Sequence, residues 1–94
     1  MILFDWDPKK NEQLRRERGV SFEEAETVSY DDRAILREDP DEDKEDRFIL
    51  LGLSAGLRTL VVCHCFRESE TVVRIISARK ADGDEENVYW RHRR

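Results

Sequence analysis

The chain is poor in cysteine and has no long apolar run, no internal repeat and no low-complexity stretch, and each lack removes a class of protein. Its two cysteines, Cys63 and Cys65, stand two apart in an expected strand, where their side chains point the same way but are badly placed to bond each other. A disulfide scaffold is therefore excluded, and a reducing cytoplasm is the expected compartment. No apolar stretch approaches the roughly 20 residues of a membrane helix, so no membrane is expected among its partners. Asp5, Asp7, Lys9 and Lys10 interrupt the start before the apolar segment of a secretory signal can form. In Cys63-His64-Cys65, regular alternation points His64 away from both cysteines, and no second ligand pair stands at zinc-site spacing elsewhere. The acids of 38–46 lack the glycine and spacing of a calcium hand. Neither a metal nor another cofactor is expected.

What is present fits one small domain, residues 1–94, with a thin core. Hydrophobic residues make up 38% of the chain and charged ones 41%, but the apolar residues fall in periodic runs, the mark of a folded protein. A formal charge of −5 opposes binding to phosphate. That charge is local. Residues 38–46 hold seven acids and one lysine, so the other 85 residues sum to about +1, and the acidic segment reads as a solvated hairpin tip that could instead attract a basic partner.

A short apolar run at 2–6, read as a strand, ends at Asp7-Pro8, a cap and first-turn pair that opens a helix. Lys9, Lys10, Arg15, Arg16 and Arg18 give this helix a basic surface until Gly19 stops it. Ser21-Phe22-Glu23-Glu24 is a capping-box pattern, with the Ser21 hydroxyl set for the Glu24 amide and the Glu24 carboxylate reaching back. The second helix runs to about Tyr30 with Phe22, Ala25 and Val28 on one face. Strands are expected at 34–37, 47–54, 59–66 and 71–78, joined by turns at Ala55-Gly56 and Glu68-Ser69. Together they form an antiparallel meander, followed by a short terminal helix docked through Val88 and Tyr89. Within 71–78, Val73, Ile75 and Ser77 take one face and Val72, Arg74 and Ile76 the other.

Phe4-Asp5-Trp6-Asp7-Pro8 with Lys10, Gly19-Val20-Ser21-Phe22-Glu23-Glu24-Ala25, Arg47-Phe48, Gly52, Leu60-Val61-Val62, His64, Arg67, Arg74-Ile75-Ile76-Ser77-Ala78-Arg79-Lys80-Ala81, Glu85 and Tyr89 occur in an order and spacing that resembles the BrnT toxin family. The resemblance covers nearly the whole chain. It implies an α+β, RelE-like fold: two N-terminal helices packed on a small antiparallel sheet, with a short C-terminal helix. It also implies a ribonuclease toxin of a type II toxin-antitoxin system, an RNA substrate, and neutralisation by a BrnA-type ribbon-helix-helix antitoxin through which alone the toxin meets operator DNA. The chain departs from the family pattern at Leu14, Glu17, Arg18 and Phe66, and Asp84 and Glu86 stand in a segment that is usually basic. Those two acids motivate a second reading, a toxin-like binding module with weakened catalysis that acts mainly as antitoxin partner and co-repressor.

Metal-independent RNA cleavage uses the substrate's own 2′-hydroxyl, so a few cations and one titratable group suffice. The catalytic candidates are His64, which titrates near neutrality, and Arg74 and Arg79, whose guanidinium groups can each grip two phosphate oxygens. Lys10, Arg67, Lys80 and Tyr89 are the candidate RNA-binding residues, Tyr89 by stacking, and Glu85 is a further candidate base. Each has a structural alternative: a packed His64, Arg74 paired with an acid on a neighbouring strand, a solvated Arg79-Lys80, and Tyr89 as the anchor of the last helix. A regular strand would put Arg74 and Arg79 on opposite faces. Either a bulge or bend after Ser77 brings them to one site, or only Arg79, beyond the strand end, contacts RNA.

Overall fold

The computed structural model describes residues 2–39, 47–67 and 71–93. Among these, five strands and three helices follow in the order β1 (Leu3–Asp5), α1 (Pro8–Arg18), α2 (Phe22–Val28), β2 (Ile35–Glu38), β3 (Arg47–Leu53), β4 (Thr59–Arg67), β5 (Val72–Lys80) and α3 (Gly83–Arg93). The tip of the acidic segment and the turn at Glu68-Ser69 lie outside the described residues. No described helix is long and apolar enough to cross a membrane.

The helix boundaries follow local chemistry. Asp7 accepts from the Lys9 amide at 3.0 Å and Pro8 opens α1. Gly19, at φ +67°, ends the helix in the left-handed region that glycine enters without a Cβ clash. Ser21 Oγ accepts from the Glu24 amide at 3.0 Å. The expected return bond is not made, because the Glu24 carboxylate binds the Arg58 guanidinium and accepts from the Ser54 hydroxyl at 2.6 Å. The reciprocal box occurs instead at α3. There the Glu85 amide donates to Asp82 Oδ1 at 2.8 Å and the Asp82 amide to Glu85 Oε1 at 2.9 Å.

The sheet runs β1-β5-β4-β3-β2. β2 to β5 form the expected antiparallel meander, but β1 pairs parallel with β5, Leu3 opposite Val72 and Asp5 opposite Arg74. The sheet is therefore mixed, and the two helices expected at the N-terminus come after a strand. A parallel neighbour must be reached by a crossover, and here α1, α2 and the whole meander provide it. α2 lies across β3, β4 and β5. Phe22, Val28, Val20 and Leu60 are fully buried, each stabilising by about 1.5–3 kcal/mol relative to exposure. α1 adds only Leu14 and is pinned to α2 by Asn11, whose Oδ1 accepts from the Phe22 amide at 2.8 Å and whose Nδ2 donates to Glu23 at 2.8 Å.

Alternation divides the sheet into two faces. Phe48, Leu50, Leu60, Val62, His64, Val73 and Ile75 face α2; Arg37, Ile49, Leu51, Val61 and Arg79 share a shallow concavity of about 330 Å³ on the other side. One irregularity interrupts the pattern. Cys63 pairs with Ser77 but His64 with Ile75, leaving Ile76 as an extra residue on β5, a β-bulge.

Candidate functional site

The bulge decides the geometry of the candidate residues. Val73 and Ile75 point to the core, Ile76 absorbs one position, and Ala78, 1% exposed, points to the core again. Arg74, Ser77 and Arg79 consequently share the face opposite α2, and regular alternation would have separated the two arginines. The sequence allowed a bend after Ser77; the irregularity comes one residue earlier.

Three further arginines join this face among the described residues. Arg47 stands opposite Cys65, Cys65 opposite Arg74, and Arg74 opposite Asp5, one row across four strands. Arg37 lines the concavity with Arg79, and Arg67 falls on the same face two residues beyond Cys65. Lys10 of α1 lies near enough to act electrostatically on the Cys63 thiol, although burial dominates and pushes that thiol up. Sequence reasoning missed Arg37 as a member of the cluster and read Arg47 only as part of a motif. Their alternation carried a signal, but one that needs the strand register to be read.

Both central arginines hold carboxylates. Arg74 donates to Asp5 Oδ2 at 2.6 Å, the neighbouring-strand pairing that stood as its structural alternative. Arg79 grips Glu85 with both terminal nitrogens at 2.7 Å, and this hydrogen bonding holds the Glu85 carboxyl down at about 2. In this pairing Glu85 is a poor base, and Arg79 is held ready in a bidentate geometry that a phosphate can imitate.

Other candidates lie elsewhere. His64 is 6% exposed on the α2 side, stacked on Phe48 with ring centroids 5.9 Å apart and edge-on to Phe66 at 5.4 Å. Burial pushes its pKa down. It does not meet Arg74 or Arg79, from which the sheet separates it. Lys80 faces the α2 side, close enough to lower the Glu24 carboxyl together with Arg58 and Ser54. Tyr89 is fully buried, so no base can stack on it. Its hydroxyl donates to Asp31 Oδ2 at 2.5 Å and accepts from Arg93 at 2.5 Å, while Asp31 also accepts from the Leu53 amide at 2.9 Å. Tyr89 is the anchor of α3. Among the described residues no three His, Cys, Asp or Glu side chains converge as a metal site.

The model of the family described as the ribonuclease toxin BrnT of type II toxin-antitoxin systems matches residues 6–85. The chain belongs to the BrnT family. The crystal structure of the Brucella abortus ribonuclease toxin BrnT aligns with a TM-score of 0.66 at 21% identity, covering 87% of this chain and 99% of that one, and it shows the same α+β fold. No curated protein matches. In this BrnT family member the matched span ends at Glu85, so it takes in β5 with both central arginines and the carboxylate that Arg79 holds.

Proposed function

We propose that the protein is a cytoplasmic endoribonuclease toxin that cuts RNA, without a metal, on the sheet face opposite α2, and that a BrnA-type antitoxin neutralises it. The observation supporting this is the Ile76 bulge, which turns Arg74 and Arg79 to one face with Arg37, Arg47 and Arg67 around them. Arg74 and Arg79 stand about 13 Å apart along the strand, four regular steps, so they serve different phosphates. Arg79 holds the reacting one and Arg74 a flanking one, with Lys10 at the border of the same face.

In this mechanism a phosphate takes the Arg79 fork and releases Glu85. The freed carboxylate loses the two Arg79 hydrogen bonds, the largest cause of its lowered pKa, while keeping the bond from the Asp82 amide; its affinity for a proton rises and it lies beside the phosphate. It accepts the proton of the 2′-hydroxyl as that oxygen attacks phosphorus; the bond to the 5′-oxygen breaks, a cyclic phosphate forms, and the leaving oxygen takes a proton from solvent. Arg79 stabilises the charge that develops on the phosphoryl oxygens. His64 acts here as a packing residue, and Lys80 and Tyr89 leave the RNA-contacting set.

The test is cleavage of a defined RNA in EDTA. Arg79→Ala is expected to lower the rate ~100-fold or more, as loss of a transition-state donor does, Glu85→Gln by ~100-fold as for a general base, and Arg74→Ala mainly to weaken RNA binding, each variant remaining folded at the assay temperature. Unchanged cleavage in Arg79→Ala would overturn the site. A second reading has its own support: Asp5 and Glu85 occupy both arginines, as befits a binding module that serves as antitoxin partner and co-repressor. Normal growth and intact RNA on induction of the protein alone would select it.

A further inference from the structure

The face of the sheet that carries α2 is only partly covered by it. α2 has seven residues and is about 10 Å long, whereas β4 and β5 have nine each and run about 30 Å. Beyond Val28 no helix among the described residues lies over the sheet, and an apolar trough of about 560 Å³ remains between Ile2, Tyr30, Leu36, Leu50, His64 and Phe66. Ile2 is 57%, Tyr30 69%, Leu36 54% and Phe66 37% exposed. A continuous group of large exposed apolar residues on one side of a small, highly charged protein is the mark of an interaction surface.

Charge at the rim narrows the occupant. Glu26, near the end of α2, precedes Tyr30 by four residues, and Glu38 follows Leu36 by two and pairs with Phe48 at the end of β2, where it also borders the concavity of the other face. The described lining itself carries no Lys, Arg, Asp or Glu, and its titratable groups are His64 and the Tyr30 phenol. We infer that the trough docks an amphipathic helix of a partner protein whose apolar stripe is flanked by lysine or arginine. Such a helix continues the layer that α2 begins, its side chains at i, i+3, i+4 and i+7 entering the trough and its cations meeting Glu26 and Glu38. A second copy of this chain suits the rim poorly, since it would bring the same glutamates and another charge of −5 to an acidic border.

The inference concerns the opposite side of the sheet from the proposed RNA site and stands apart from it. The experiment titrates the isotope-labelled full chain with a synthetic 18-residue peptide carrying leucines at i, i+3, i+4 and i+7 and lysines on its flanks. Two controls accompany it: the same peptide with glutamates for lysines, and a scrambled lysine peptide of equal charge. The lysine peptide should shift the amide resonances of Tyr30, Leu36 and Phe66, and both controls should bind at least ~10-fold more weakly, the size of one lost buried or ionic anchor. Leu36→Glu should remove binding while RNA cleavage and the melting transition stay unchanged, and Glu26→Lys with Glu38→Lys should reverse the preference to the glutamate peptide. The inference fails if no peptide binds, if the scrambled peptide binds equally well, or if the shifts gather around Arg37 and Arg79. It also fails if the chain dimerises through the trough in a manner that Leu36→Glu abolishes, which would make a second copy the occupant.

Discussion

Gly52 has no room for a side chain: a Cβ there would lie 2.8 Å from Val28 Cγ1 and 2.9 Å from the Ala34 Cβ. Neither neighbour is the end of a long flexible chain, so Gly52→Ala is expected to cost about 1–3 kcal/mol through overpacking, read as a lower urea midpoint. Glu85 makes a different kind of contribution. Its folded pKa of about 2 lies below the usual carboxylate value, so its stabilisation is complete above about pH 4.5 and disappears as the pH falls toward 2. Glu24 and Asp31, also lowered, act in the same direction. The difference in urea midpoint between the wild type and Glu85→Gln should accordingly be greatest at pH 6 and shrink to nothing near pH 2, and a constant difference would refute the pairing. At this scale the sequence was an uneven guide. Tyr89 and Arg74 were visible as residues of two possible uses, and only three-dimensional neighbours, Asp31 and Arg93 for one and Asp5 for the other, select between them.

The elements themselves were largely legible, because caps and alternation are local. Asp7-Pro8, Gly19 and Ser21 mark helix boundaries through bonds spanning two to four residues, and the meander follows from apolar alternation. The parallel pairing of β1 was not legible, since nothing in Leu3-Phe4-Asp5 names Val72-Val73-Arg74 as its neighbour. Nor was the use of Glu24, whose local role as a box partner loses to the Arg58 guanidinium 34 residues away. The bulge could be posed as a question from strand parity and answered only by the register. It also makes an unusual prediction. Deleting Ile76 restores regular alternation without exchanging the faces of Ala78 and Arg79, so the shortened β5 should keep the Arg79 contact to Glu85 and bind RNA within ~3-fold of wild type, at some cost in stability from the lost half-buried side chain. Binding of the deletion variant to an RNA oligonucleotide, measured by anisotropy, checks this, and loss of binding in a folded variant would contradict the face assignment.

At the scale of the whole molecule, a cationic face is carried by a chain whose net charge is −5. At the proposed site, long-range repulsion would slow the approach of RNA, while the arginines would act only at short range. Replacing Asp41, Glu42, Asp43, Glu45 and Asp46 with their amides should raise the association rate with RNA by ~10-fold in low salt and by almost nothing near 1 M, where the screening length is about 3 Å; stopped-flow fluorescence checks both arms. The parallel strand at the sheet edge has a consequence in time as well as in space. Asp5 and Arg74, joined by an ion pair, are separated by 69 residues of sequence, so during synthesis β1 emerges first and waits for the last strand before it has a partner. A growing chain that has not yet reached β5 lacks both central arginines, so the candidate site cannot form before that strand is made.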